Sequence, residues 1–139
     1  MKILVFEDDT SMASTLRQLY INLDVDVQST RSIIDGIRKI QAEKIDIILI
    51  DITHSNSSSE DLCKQIRSFS RVPILILSPL DSPGMIAETL DAGADDYLIR
   101  PVSSRVLMVH IDKLIRRSIY FQNQNNDFES GSQTEISGA

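Results

Sequence analysis

Ile45-Asp46-Ile47-Ile48-Leu49-Ile50, followed at once by Asp51, is the stretch on which the fold turns. A strand that is apolar nearly throughout, rather than alternating with polar residues, is one covered on both faces, as in a parallel sheet. Lys2–Phe6 and Pro73–Leu77 read the same way, and Val25–Gln28 and Asp96–Ile99 are two further strand candidates. Longer stretches of helical periodicity separate and follow these runs. That alternation is the mark of repeated β-α units building a mostly parallel sheet, with the third and fourth strands central.

The first helix carries Met12, Leu16, Leu19, Tyr20 and Leu23 at spacings that share one face. Ser32 opens the second, with Ile33, Ile37 and Ile40 expected inward, and Ser58 with Asp61 reads as a capping box ahead of Leu62, Ile66 and Phe69. Pro83 after Ser82 suits the first turn of the fourth helix, which Gly93 ends, and Leu107, Ile111, Leu114 and Ile115 stripe the fifth.

A chain of 139 residues with 42% hydrophobic content has material for one sizeable core, which we place in residues 1–121. From Gln122 to Ala139 the composition turns to Gln, Asn, Ser, Gly and acids, with only Phe128 and Ile136 large and apolar, so a disordered polar tail or linker is expected. The net charge of −6, with no basic run longer than Arg116-Arg117, argues against direct nucleic-acid binding. One cysteine, Cys63, excludes an intrachain disulfide and a Cys-type zinc cluster, and fits a reducing compartment such as the cytoplasm. The apolar run before Glu7 is too short for a signal peptide or a membrane span.

In an open α/β sheet, ligands bind beyond the carboxyl ends of the strands, so the residues there are the candidates for chemistry. Glu7 and Asp8 follow the first strand, Asp51 the third, Ser78 the fourth and Arg100 the fifth. Three crowded carboxylates repel unless a cation neutralises them, and a hard divalent ion such as Mg²⁺ does so through oxygen ligands. Such an ion holds one or two carboxylates and a phosphoryl oxygen, leaving another carboxylate as nucleophile; a hydroxyl and a cation then answer the charge of a phosphoryl group in transfer. Taken singly, any of these acids also suits a helix N-cap, Asp8 or Asp9 before the first helix above all.

These residues resemble the receiver domain of two-component response regulators over nearly the whole of Met1 to Arg117. The motifs stand as Ile3-Leu4-Val5-Phe6-Glu7-Asp8-Asp9, Asp46-Ile47-Ile48-Leu49-Ile50-Asp51, Pro73-Ile74-Leu75-Ile76-Leu77-Ser78 and Ala92-Gly93-Ala94-Asp95-Asp96-Tyr97-Leu98-Ile99-Arg100-Pro101. The resemblance implies a flavodoxin-like, doubly wound, five-stranded parallel sheet of order 2-1-3-4-5 with five helices. It implies that Glu7, Asp8, Asp51 and the backbone carbonyl of Thr53 hold Mg²⁺, and that Asp51 takes a phosphoryl group from a sensor histidine kinase or phosphotransfer protein. Ser78 would be the switch hydroxyl, Tyr97 the aromatic that follows it, and Arg100-Pro101 a cis bond.

Three departures from the family pattern concern the site. Arg100 replaces the usual lysine and can either grip a phosphoryl group bidentately or hold Asp51 in a permanent ion pair. The loop from Ile52 to Ser59 lacks the usual proline and glycine, and Pro79 follows the switch hydroxyl, removing a backbone N–H. His54 in that loop reads as solvated, and neither Cys63 nor His110 is assigned chemistry. The resemblance is nearest to receivers of winged-helix transcription regulators, which pair through helix four, strand five and helix five. Asp95, Asp96, Arg116 and Arg117 fit such a homodimer, whereas Val106 and His110 stand where that class usually has an acid and an arginine. The leading expectation is therefore a phosphoacceptor switch controlling transcription through a linked domain or partner. A pseudo-receiver that signals by binding alone is the alternative. A small Mg²⁺-dependent phosphohydrolase is a further one, against which Thr53 stands where a second acid would be needed.

Overall fold

The computed structural model describes residues 1–53 and 59–138, with side chains described as far as residue 124 apart from that of Phe121. His54 and the expected capping serine Ser58 lie outside the described residues. Strands β1 (Lys2–Phe6), β2 (Asp26–Thr30), β3 (Ile47–Asp51), β4 (Ile74–Ser78) and β5 (Asp96–Ile99) alternate with helices α1 (Ser11–Leu19), α2 (Ile33–Ala42), α3 (Ser59–Arg67), α4 (Pro83–Asp91) and α5 (Ser104–Gly138). The strands form one parallel sheet of order β2-β1-β3-β4-β5, as the sequence leads one to expect.

Every residue of β3 and β4 is buried, because each face of the sheet carries its own layer. Successive strand side chains point to opposite faces. Ile3, Val5, Ile47, Leu49, Leu75, Leu77 and Leu98 therefore meet Met12 and Leu16 of α1 and Leu107, Ile111 and Leu114 of α5. On the other face Leu4, Phe6, Ile48, Ile50, Ile74 and Ile76 meet Leu62, Cys63 and Ile66 of α3. The thiol of Cys63 is buried, which pushes its pKa up to about 11 and keeps it an inert core group.

Several expectations at the edges of elements are corrected. Leu23 is 60% exposed because α1 ends at Leu19, before the apolar spacing does. Ile33 is exposed at the start of α2, and Phe69 lies past the end of α3 and is also exposed. The inward residue of α2 is Gly36: a Cβ there would stand 2.2 Å from Cε1 of the Phe6 ring, so only hydrogen lets α2 close onto β1. The polar tail expected from Gln122 has helical backbone to Gly138. Its composition speaks against packing into a core, but a formed helix adds one hydrogen bond for each residue it gains, and no proline interrupts it there.

Arg67 ties the lower part of the α3 side together. Its guanidinium donates to the carbonyls of Gly93 (2.9 Å), Ser70 (3.2 Å) and Val72 (2.7 Å) and to Asp95 (2.8 Å), whose Oδ2 also accepts from the Ile74 amide. Gly93 has φ +125, a conformation that favours glycine, and a Cβ there would meet Arg67 Cγ at 2.5 Å. The Arg100-Pro101 bond is cis.

Two glycines on α helices should respond oppositely to alanine. Gly36→Ala is expected to destabilise by about 1–3 kcal/mol through overpacking against Phe6, whereas Gly84→Ala, with nothing within 4 Å of its Cβ, should gain about 0.5–1 kcal/mol. Urea unfolding of both variants checks the pair of signs.

Candidate functional site

The register of the sheet assembles the site. Phe6 pairs with Ile50, Asp51 with Leu77, and Ser78 with Ile99, so Glu7, Asp51, Ser78 and Arg100 arrive at neighbouring strand tips. Asp51 and Ser78 are the last residues of their strands rather than the first beyond them. The two-residue period assigns Glu7, Asp51 and Arg100 to the face of α1 and α5, while Ser78 and Tyr97 belong to the face of α3.

Glu7 and Asp51 are both carboxylates held nearly out of water, at 5% and 8% exposure. Their partners differ. Glu7 Oε1 accepts from the Met12 amide (2.9 Å), and its Oε2 accepts from the Ala13 amide (3.0 Å) and the Ser29 hydroxyl (2.9 Å). The open amides at the start of α1 are thus capped by Glu7, not by a residue at the N-cap position, where Thr10 makes no side-chain cap bond. Asp9 accepts from the amide and hydroxyl of Ser11 at 2.9 and 2.7 Å, and these bonds hold its carboxyl below the ordinary value. The capping alternative therefore falls to Glu7 and Asp9.

Asp51 has one partner among the described residues, the Arg100 guanidinium, whose Nη2 donates to Oδ1. Burial pushes the Asp51 carboxyl above its ordinary value of 3.8; Arg100 pulls it partly back, and the nearby charges of Asp9 and Asp8 add to the rise. Among the described residues the grip is a single point, through Nη2, and Arg100 Nε is buried with no hydrogen-bond partner there. Asp8 is exposed, and Thr53 Oγ1 reaches its Oδ2 only at 3.4 Å.

Glu7, Asp8 and Asp51, expected to share one pocket, stand at the same end of the sheet with different protein partners. Glu7 spends its oxygens on α1 and Ser29, and among the described residues no three His, Cys, Asp or Glu side chains are grouped as a metal site. Asp8 and Asp51 remain, and a Mg²⁺ ion that keeps most of its waters needs no more than one or two carboxylates. The donor set fits the ion.

On the other face Ser78 is fully buried, and its Oγ accepts from the Leu80 amide at 3.1 Å. Tyr97 donates its hydroxyl to the Leu80 carbonyl at 2.9 Å. One residue of the loop entering α4 is therefore held from both sides, by the hydroxyl and by the aromatic. Sequence reasoning named Ser78 and Tyr97 but not Leu80, whose role is carried by its backbone and leaves no mark in residue type. It also missed Ser29, which lies on β2, and the contact of His110 Nδ1 with Asp96 Oδ2 at 2.5 Å. A hydroxyl adjacent in register to the first acid was the available signal for Ser29, since Val5 pairs with it.

Residues 3–112 match the family described as Response regulator receiver domain. The response regulator ArlR of Staphylococcus saprophyticus is 31% identical over 118 residues, 84% of this chain and 53% of that protein. A protein of Bacillus subtilis named as an uncharacterized transcriptional regulatory protein, YclJ, is 29% identical over 117 residues, 84% of this chain and 52% of its own length. The chain thus spans about half the length of the curated relatives it matches. Among solved structures, a two-component response regulator from Clostridium difficile superposes with TM-score 0.75 at 27% identity, covering 85% of this chain and 98% of that one. The BeF3-activated N-terminal receiver domain of Klebsiella pneumoniae RstA gives TM-score 0.73 at 28% identity, covering 84% and 99%.

The raised carboxyl of Asp51 has a consequence for stability. An acid whose folded pKa exceeds its unfolded value costs stability when ionised, and the cost fades as pH falls from the folded pKa toward 3.8. Asp51→Asn should therefore unfold at a higher urea concentration than the wild type near neutral pH, and the two should converge on acidification. A lower midpoint for Asp51→Asn would show that the ion pair outweighs desolvation.

Proposed function

The chain belongs to the response regulator receiver domain family, and we propose that it accepts a phosphoryl group on Asp51 from a sensor histidine kinase or phosphotransfer protein. The signal then passes to an output, transcription regulation, through a linked domain or partner. The observation that carries this reading is the contrast between the two buried acids. A purely structural carboxylate is satisfied on both oxygens, as Glu7 is. Asp51 is held through one oxygen by one side chain, at a raised pKa, at the strand tip where a donor can reach it.

In the transfer an Asp51 oxygen forms a bond to phosphorus as the bond from phosphorus to the donor's imidazole nitrogen breaks, giving an acyl phosphate and a free histidine. Asp8 and Asp51, with the Thr53 carbonyl, would hold Mg²⁺, which when bound neutralises charge on the phosphoryl oxygens. Glu7 stands behind them as the group that fixes α1. Arg100 releases Oδ1 and turns its fork to the phosphoryl oxygens, where the unpartnered Nε also finds an acceptor. Ser78 gives up the Leu80 amide to donate to the same group, and Tyr97 responds through the Leu80 carbonyl. Pro79 offers no amide, so Arg100 and Ser78 carry the protein's share of donors on that side.

The pseudo-receiver reading has the same ion pair in its favour, taken as permanent. A permanent lock would engage the guanidinium at two points; the single contact through Nη2 and the orphaned Nε speak for a releasable one. The phosphohydrolase reading gains nothing, since Thr53 brings no acid beside Asp51.

A homodimer through α4, β5 and α5 fits the exposed Met85, Leu90, Ile99, Val106 and Val109. Two acids expected to pair across that dimer are engaged within the chain, Asp95 by Arg67 and Asp96 by His110. The contact would therefore be more apolar and less charge-specified than in winged-helix regulators.

Incubation with acetyl phosphate and Mg²⁺, followed by intact mass, tests the acceptor. The wild type and Arg100→Lys should each gain one phosphoryl group and Asp51→Asn none. A gain confined to Arg100→Lys would establish the pseudo-receiver.

A further inference from the structure

The opposite end of the sheet carries a cavity of about 680 Å³ that the phosphoacceptor chemistry does not use. Its walls come from the residues just before β3, those just before β4, Asp95 just before β5, and the middle of α5. Ile45, Val72, Leu114 and Ile119 give it an apolar lining, and Lys44, Arg71 and Arg117 stand around it. All three cations are exposed, and none of their side chains has a hydrogen bond or ion pair among the described residues. The two acids in the wall are already engaged. Asp46 accepts from the Lys2 amide at 2.7 Å, and Asp95 is held by Arg67 and the Ile74 amide.

In a chain of net charge −6, three uncommitted cations outnumber the one carboxylate, Asp46, that no cation pairs in the wall, so this part-apolar cavity has a local field opposite in sign to the whole. A field of that kind draws an anion, and the lining rewards an apolar body attached to it. The volume lies in the ordinary range of small-molecule sites, roughly 300–1,000 Å³. β3 and β4 each run five residues between this cavity and the Asp51 end, about 15 Å of strand. A ligand here would leave the phosphoacceptor open.

We propose that this cavity is a binding site for an organic anion with an apolar body, a carboxylate or phosphate ester carrying an alkyl or aryl group, held by Lys44, Arg71 and Arg117. Decanoate is the probe, with decanol and inorganic phosphate as its apolar and anionic halves, each titrated against the full chain and followed by amide NMR. Decanoate is expected to shift the amides of Ile45, Val72 and Ile119 saturably. Each half should bind at least about ten-fold more weakly, the loss that follows from removing roughly 1.4 kcal/mol of interaction. Arg71→Glu combined with Arg117→Glu should weaken decanoate on the order of ten-fold with an unchanged unfolding midpoint, because both residues are exposed. Asp51→Asn should bind decanoate as the wild type does, so the result stands apart from that of the phosphorylation experiment. No saturable shift, shifts centred on Asp51, equal binding of decanol, or unchanged affinity in the charge-reversed variant would each overturn the proposal.

Discussion

A carboxylate taken out of water must find donors or give up its charge, and that cost governs the end of this sheet where β1 and β3 terminate. Glu7 meets it in full, with two amides of α1 and the Ser29 hydroxyl, and so welds the first helix to β1 and β2. Asp51 meets it in part, through one nitrogen of one long side chain arriving from the far edge of the sheet. The first acid is a fixed wall. The second is left with unspent capacity, and its carboxyl sits above its ordinary value because the compensation is incomplete.

The two-residue period of the strands divides the remaining labour. Acid and cation meet on the α1 and α5 side, and the hydroxyl and aromatic lie on the other, joined through the amide and carbonyl of Leu80. A group bonded to Asp51 at the strand tips is reachable from both sides and so can couple them. The helix beyond that loop is lightly anchored: α4 buries only Thr89 and exposes Met85 and Leu90. Its N-cap Ser82 makes no side-chain cap bond among the described residues, while beyond its C-terminus Gly93 is clamped by Arg67. Few buried contacts at one end and a clamp at the other favour displacement of the free end.

The fold was legible because β1, β3 and β4 are covered on both faces and therefore show as continuous apolar runs, a pattern few other architectures produce. The position of Asp51, Ser78 and Arg100 followed from that, since strand ends locate residues without any knowledge of side-chain direction. What periodicity could not supply was direction itself. Glu7 and Asp8 are neighbours of similar charge, yet one turns to a helix terminus and the other to solvent. Leu23, Ile33 and Phe69 fit a helical stripe but lie at or beyond a helix end, where the stripe no longer faces anything. Gly36 carried no apolar signal at all, although its missing side chain is what lets α2 approach Phe6.

The central claim is that the Arg100 grip on Asp51 is releasable and that its release is felt at Leu80. Amide spectra recorded during titration with beryllofluoride and Mg²⁺ test it most directly. The account predicts saturable shifts at millimolar reagent for Ser78, Leu80, Tyr97 and Arg100, abolished in Asp51→Asn. Spectra that stay unchanged around those residues would contradict it, and would mean that the ion pair is a permanent fixture of the fold.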